Sequence, residues 1–353
     1  MSSESAPRAA AAELQADLVR LLPESEEARA FWRLRRRMTI TSTLQALRHA
    51  RLRVALVLSL SIFFSVGLSY LFFHAFGFLQ TTIGADATLQ IQTVRAVFNV
   101  FFAALMGMLV VSSGIILYGS LYCTPEVSFL HTLPVRAERL ALFKFQEAIF
   151  FSTWGFLLLS GPMLISYGIV EDSPWYYYAL LLPFMLAFVY IPCALGAVVC
   201  LLLVDQFPKL RAQTLTLVIG GVSLVLLWFA WYTLGVQRGN LFTATWFHEL
   251  TGRLQVSEHR LLPSWWLSSG LLEASRHNPA AVRHHAWEEC IWFLALLVSN
   301  ALVAHLAFMW VARRTYGRGY SAQLLDVGGN LLTAAARGGD HRDVRSAVEW
   351  AGY

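Results

Sequence analysis

The stretch Cys123–Phe145, CTPEVSFLHTLPVRAERLALFKF, lies between two long apolar runs and is itself too polar to span a membrane. Thr124 suits the cap of a short helix, Pro125 its first position and Glu126 the positive end of its dipole. Val127, Leu130 and Leu133 recur on one face, with Phe129 beside them. Pro134 ends the helix, because the residue before a proline is pushed out of the helical region. A basic second helix is expected to follow through Arg136, Arg139 and Lys144. The chain therefore leaves the membrane, forms a short amphipathic helix at its surface, turns at a proline and goes back in. A helix in that place can receive a push from the cytosol. An ordinary surface loop between two spans is the alternative.

Composition agrees with a lipid solvent. The 353 residues are 57% hydrophobic and 14% charged, with a mean hydropathy of +0.54. A soluble domain is usually about 45–50% apolar and about 25% charged. The net charge of +5 does not indicate nucleic acid, since the arginines flank apolar runs and form no single basic surface. They suit anionic lipid head groups and the basic character of cytoplasmic loops. Cys123, Cys193, Cys200 and Cys290 show no CxxC pair and no metal-ligand spacing, and read as small apolar residues.

Residues 1–30 are polar and Ala/Glu-rich, and no apolar run begins before Val54, so they read as a mobile cytosolic tail and not as a signal peptide. Residues 31–53 differ. Phe31, Leu34 and Met38 share one helical face, and Arg33, Arg36 and Arg37 another. After a break at 39–43, Leu44 and Leu47 oppose Arg48 and Arg51. The pattern predicts a helix lying in the membrane interface, with a plain positive flank as the alternative. A span needs about 20 apolar residues. Six runs qualify: Val54–Leu79, Val97–Leu121, Ile149–Val170, Tyr176–Val204, Leu215–Leu234 and Ile291–Ala312. The arginine-rich amino terminus, Arg136, Arg139 and Lys144, then Lys209 and Arg211, then Arg313, Arg314 and Arg318 fall on one side of the alternation. The loops Gln80–Ala96 and Glu171–Pro174 fall on the other, which places both termini in the cytosol. The long loop 236–289 carries five arginines on the outer side, a strain the rule tolerates because long loops obey it weakly.

That outer loop contains Leu261–Glu273, LLPSWWLSSGLLE, with Ser264 as a helix cap and Trp265 and Trp266 suited to the lipid boundary. It is too short to cross, so a shallow or re-entrant helix on the outer ends of the bundle is expected, or a simple interfacial anchor. The tail, residues 313–353, carries no seventh span, and Asp340, His341 and Asp343 read as solvated. Chemistry is sparse. There is no HExxH, no GxSxG and no phosphate loop. A P-loop needs a lysine followed by Ser or Thr. The chain has two lysines, Lys144 followed by Phe145 and Lys209 followed by Leu210. Inside the spans the notable polar groups are Asn99, Asn300 and His305, candidates for a translocation path. A bond to a neighbouring helix is the competing role, and His305 has no evident partner in the sequence. Gly107, Gly114, Gly155, Gly161, Gly196 and the pair Gly220–Gly221 suggest close helix packing or bending.

The order of parts resembles a known family. An interfacial amino-terminal helix, a cytosolic helix between spans two and three, and an outer helical loop between spans five and six resemble the membrane subunit of type-2 ATP-binding-cassette (ABC) exporters. The run Ser120-Leu-Tyr, Glu126–Arg136 (EVSFLHTLPVR) and Lys144-Phe-Gln-Glu147 looks like that of bacterial ABC exporter permeases. So do Gly161-Pro162, Ile191-Pro192 with Leu195-Gly196, and Leu262-Pro-Ser-Trp-Trp266. The resemblance covers roughly Val54 to Tyr320. It implies that Thr124–Leu133 is a coupling helix docking on a separate ABC ATPase subunit. Glu126, His131, Arg136 and Arg139 would then make the polar contacts, and Phe129 and Leu130 the apolar one. Members of the family often continue into a second membrane half; this chain stops soon after its sixth run.

The expectation is therefore an all-α polytopic membrane protein. A six-helix transmembrane domain at 54–312 would carry a coupling helix at 124–133 and an outer loop at 236–289. It would be an exporter permease of the cytoplasmic membrane with no catalytic, cofactor or metal site of its own. Its partners would be an ATPase subunit, a second membrane half (a homodimer or another permease subunit) and lipid, but no nucleic acid. A non-transporting assembly or anchoring protein is the alternative reading, and it has no need of the amphipathic loop. The transported substrate is not legible.

Overall fold

Long apolar runs in hydrocarbon leave the backbone no partners but its own, so each run closes its hydrogen bonds as a helix. The computed structural model describes residues 51–83, 87–122, 137–206, 259–275 and 280–336, with isolated positions at 29, 32, 33, 36, 37, 41, 124, 221 and 224. At 83, 87, 137, 280–287 and 317–336 the backbone alone is described. The helices are α1 (Arg51–Ile83), α2 (Ala87–Tyr122), α3 (Ala137–Val170), α4 (Trp175–Gln206), α5 (Pro263–Ser275) and α6 (Ala280–Ala336). Among the described residues there is no strand. Among the described residues, five stretches are long and apolar enough to cross a bilayer: Arg51–Thr82, Thr88–Tyr122, Glu138–Val170, Trp175–Gln206 and Glu288–Tyr316. The described part of the chain is all-helical, and its long apolar helices are those of a membrane protein. These five coincide with five of the six expected runs. The remaining run, Leu215–Leu234, lies outside the described residues except for Gly221 and Leu224, both helical.

The helices are longer than the apolar runs that locate them. Helices of 32–36 residues are roughly 50 Å long at about 1.5 Å per residue, against a hydrocarbon core of about 30 Å. Three expectations change accordingly. The loop Gln80–Ala96 is mostly helix, because α1 runs to Ile83 and α2 starts at Ala87. The basic stretch with Arg139 and Lys144 is not a separate helix; it is the first part of α3. Residues 313–336 continue α6 without a break, where a separate tail was expected. Polar residues such as Gln90, Gln92 and Glu138 do not stop a helix, so hydropathy marks the lipid depth but not the helix end. The interfacial stretch 31–53 is described at Trp32, Arg33, Arg36, Arg37 and Thr41, all helical, before α1 begins at Arg51. The remainder of 1–50 lies outside the described residues.

Turns and prolines are handled locally. Between α3 and α4, Asp172 adopts a left-handed conformation at φ 50°. The Ser173 N–H reaches back to the Gly168 carbonyl at 2.8 Å and the Glu171 N–H to the Tyr167 carbonyl at 3.0 Å, which closes the end of α3. Pro162 lies inside α3, and Pro183 and Pro192 inside α4. Helix α5 begins with Pro263 at its first position and Leu262 accepting from the Trp265 N–H at 3.0 Å. Ser264 is thus inside the helix and buried, not the cap expected from the sequence.

The core is an aromatic column through four helices. Phe76 of α1 and Phe98 of α2 both meet Tyr167 of α3, at ring separations of 5.3 and 4.9 Å. Phe98 leads to Phe102, and Phe102 to Phe188 of α4, each at 6.0 Å. Phe156 of α3 closes on Phe188 at 5.5 Å. Helix α1 is peripheral, with Leu56, Leu60, Phe63 and Val66 exposed on what becomes the lipid surface. Helix α5 is buried against α2, α4 and α6: a Cβ at Gly270 would stand 2.6 Å from the Phe184 ring and 3.0 Å from the Phe293 Cβ.

The tightest crossing joins α2 and α4. A Cβ at Gly196 would lie 2.1 Å from the Val110 carbonyl oxygen and 2.3 Å from the Ser113 hydroxyl. One at Gly114 would lie 3.2 Å from the Gly196 carbonyl. The Ser113 hydroxyl donates across to the Cys193 carbonyl at 3.3 Å. Small residues that let backbones approach, with a hydroxyl bonding between them, are the usual means of helix association in lipid. Of the glycines expected to serve packing, Gly114 and Gly196 do. Gly107, Gly155, Gly161 and Gly221 have nothing within 4 Å of an added Cβ. Replacing Gly196 with Ala should therefore cost about 1–3 kcal/mol, the usual range for overpacking. Gly107→Ala should leave stability unchanged. Thermal unfolding of the two variants in detergent checks the contrast.

Candidate functional site

Three clusters of polar groups among the described residues bear on the expected site residues. The first is the end of the bundle where α2 closes and α3 begins. The Thr124 hydroxyl donates to the Ser120 carbonyl at 2.7 Å, satisfying an otherwise open acceptor in the last turn of α2. The Tyr122 ring meets the Tyr316 ring of α6 at 6.0 Å. One helix away, Arg313 of α6 binds the Glu138 carboxylate of α3 at 2.6 Å. The two chain ends that bracket residues 123–136 are thus tied to the same turn of α6. Arg139 is half-buried in the first turns of α3. Glu126, Phe129, Leu130, His131 and Arg136 lie outside the described residues.

The second place is one to two turns further into the bundle. Lys144 is 2% exposed and binds Glu147 at 3.1 Å, while Glu147 is 44% exposed. A buried ammonium requires such a partner, and i,i+3 spacing on a helix supplies it. Its neighbour Phe145 stacks on Phe308 of α6 at 4.2 Å and meets Tyr190 of α4 edge-on at 5.8 Å. The Tyr190 hydroxyl in turn pairs with His305 Nδ1 at 2.7 Å. His305, without a partner in the sequence reading, has one in the structure, 115 residues away.

The third place is the seam between α2 and α5. Asn99 is fully buried, and its Oδ1 accepts from the Ser268 hydroxyl. Its Nδ2 and the Ser264 hydroxyl, on the same face of α5 one turn from Ser268, are buried without a partner. Asn300 joins neither group: its amide donates to the Leu296 carbonyl of its own helix at 2.8 Å. The three candidate path residues therefore do not converge. Asn99 belongs to the α2–α5 seam, His305 to the α4–α6 contact, and Asn300 bonds locally. Ser268, Tyr190 and the Lys144–Glu147 pair are the polar residues that sequence reasoning did not single out as sites. The signal for the last was present, as Lys and Glu at i,i+3 in the first third of an apolar helix. Among the described residues no three His, Cys, Asp or Glu side chains come together as a metal site would require.

A family model described as "Putative ATP-binding cassette" matches residues 45–328. No curated protein and no solved structure matches the chain. The description names an ATP-binding unit, whereas the matched residues include all five membrane-crossing stretches. Both lysines of the chain also fall in the match, at 144 and 209, and neither precedes Ser or Thr.

Two consequences of this geometry are measurable. Tyr190→Phe removes the cross-helix bond to His305 and should cost up to about 1.7 kcal/mol, the largest value found for such bonds in membrane bundles, whose average is about 0.6 kcal/mol. Arg313 is 61% exposed, so its coupling to Glu138 should be smaller, about 0.2–1 kcal/mol as for exposed ion pairs. A double-mutant cycle with Glu138→Gln and Arg313→Gln, read by unfolding in detergent, checks the second value.

Proposed function

We propose that this chain, which belongs to the family described as "Putative ATP-binding cassette", is the membrane-spanning permease subunit of an ABC exporter. The observation that carries the reading is a combination in one chain. The family match coincides with five membrane-crossing helices and with the absence of any lysine that could serve a P-loop. An ABC system with such a member needs its ATPase on a separate subunit. The chain itself is then not the enzyme, and a second membrane half completes the bundle.

In this reading both termini and the 123–136 segment face the cytosol, following the distribution of arginines. Thr124–Leu133 is the coupling helix. Glu126, His131, Arg136 and Arg139 make polar contacts with the ATPase, and Phe129 and Leu130 an apolar one. ATP binding closes two ATPase subunits, and their motion enters the bundle through this segment. The Tyr122–Tyr316 and Glu138–Arg313 contacts support the reading, because they link both ends of the segment to α6. A displacement there cannot leave α6 behind without breaking one of them.

Glu126→Arg should lower the ATPase activity of the assembled complex while membrane insertion is unchanged. Replacement of Phe129 and Leu130 by Asp should release the ATPase from the purified complex. The check is affinity purification from native membranes in mild detergent, with identification of co-purifying chains and an assay of ATP hydrolysis. A P-loop ATPase retained by the native chain and lost with the variant supports the assignment. A preparation that never contains an ATPase favours a membrane anchoring role instead.

A further inference from the structure

Helix α5 is held by two unlike faces. On one side Gly270 lets the Phe184 ring of α4 and Phe293 of α6 come close. The Gly270 carbonyl accepts from the Cys290 thiol of α6 at 3.4 Å, and the Trp265 ring meets the Phe293 ring at 5.6 Å. The other side is polar and turned onto α2. Ser264, Ser268 and Ser275 share one face of the helix at i, i+4 and i+11, and all three are buried. Ser275 bonds within its own helix, to the Leu272 carbonyl at 2.7 Å. The seam itself is incompletely bonded. The single Ser268 proton has two acceptors in reach, Asn99 Oδ1 and the Trp265 carbonyl. Turning the Asn99 amide round lets its nitrogen donate to Ser268 and frees the proton for Trp265, but then the Asn99 oxygen takes the place of the unpaired Nδ2. One end of the buried amide is unanswered in either orientation. The Ser264 hydroxyl, one turn along, is buried without a partner as well. A closed α2–α5 seam therefore carries a desolvation cost that water would remove.

From this asymmetry we propose that α5 is a gate helix that opens by parting from α2 while it stays on α4 and α6. The Asn99–Ser268 bond is its latch. Asn99 lies in the first half of α2, and Cys290 lies at the start of the crossing stretch of α6. The gate is thus at the end of the bundle away from Tyr122, Tyr316 and the 123–136 segment. Opening turns Asn99, Ser264 and Ser268 into one wall of a water-filled cleft, the setting in which polar side chains within a membrane bundle are usually found. None of these side chains is charged, so the wall suits water and neutral hydrogen-bonding groups. The apolar α4 and α6 side gains nothing from water and stays closed. The structure described is the closed state. The use of the gate by cargo rests on the permease reading; the opening of the seam does not.

The test uses the full chain in phosphatidylcholine nanodiscs and a charged, water-soluble maleimide, with labelled peptides quantified by mass spectrometry. Ser264→Cys places a thiol in the α2–α5 seam. The native Cys290 thiol, buried at the α5–α6 contact, is the internal control. A second variant adds Asn99→Ala, which removes the latch. Thermal unfolding verifies that each protein is folded; should the double variant not fold, the single variant decides by its comparison with Cys290. The expected result is labelling at position 264 about tenfold faster than at Cys290, the order of factor that relief of one unanswered buried group supplies. Asn99→Ala should raise the rate at 264 further and leave Cys290 unchanged. Labelling at 264 as slow as at Cys290 overturns the proposal, because the seam is then static packing. Equal and fast labelling at both positions also overturns it, because α5 then leaves α6 as well. Repeating the measurement with the co-purified ATPase ties the gate to transport if the rate at 264 rises with ATP turnover. A rate indifferent to ATP counts against the permease reading, while the opening of the seam has already been decided without the ATPase.

Discussion

The constraint on which the structure depends is that hydrocarbon offers the backbone no hydrogen-bond partner and offers apolar side chains no reason to leave it. The first half of that constraint makes every spanning segment a helix and lets it run well beyond the apolar core. The second half removes the usual drive for helices to associate, since lipid tails are as apolar as leucine. Cohesion then falls to close contact and to polar bonds between helices. The α2–α4 crossing supplies both, with the Gly196 backbone against the Val110 carbonyl and the Ser113 hydroxyl on the Cys193 carbonyl. The aromatic column from Phe76 through Phe98 and Phe102 to Phe188 joins the same two helices on the amino-terminal side of that crossing.

The polar side chains are distributed along the helices by the same logic. Each is expensive in lipid unless a partner answers it, and each pair that crosses between helices joins elements that apolar contact alone would leave free to slide. Asn99 and Ser268 pin the short α5 to α2. Tyr190 and His305 pin α4 to α6. Glu138 and Arg313, with Tyr122 and Tyr316, pin the α2–α3 end to α6. Helix α6 therefore takes part in two of the three, and it continues as one helix to Ala336. In a transporter driven from that end, α6 would be the element that carries movement along the bundle, because it is the longest and is bonded to both neighbours that bracket the driven segment.

The glycines show how one residue type serves opposite ends. Gly196 and Gly270 are glycines because another group occupies the space a side chain would need. Gly155 borders a small cavity between α2 and α3, where an added Cβ would meet nothing within 4 Å. The first kind builds the bundle; the second leaves an opening in it at mid-depth.

The sequence alone determined the solvent, the helical class and the position of five spans, because hydropathy is a property each residue carries by itself and a run of about 20 suffices to cross. It also determined that no lysine can serve a P-loop, since that follows from two positions and their neighbours. The helix ends were not legible: Gln90, Gln92 and Glu138 are compatible with helix in or out of lipid, and α2 and α3 begin about ten residues before their apolar runs. The coupling role proposed for Glu126–Arg136 comes from the sequence pattern. Which residues meet was decided only by the tertiary structure. In a soluble helix the buried face is marked by apolar periodicity, but here lipid-facing and core-facing sides are equally apolar. Nothing in the chain distinguishes Gly196 from Gly155, or names Tyr190 as the partner of His305, until the helices are laid against one another.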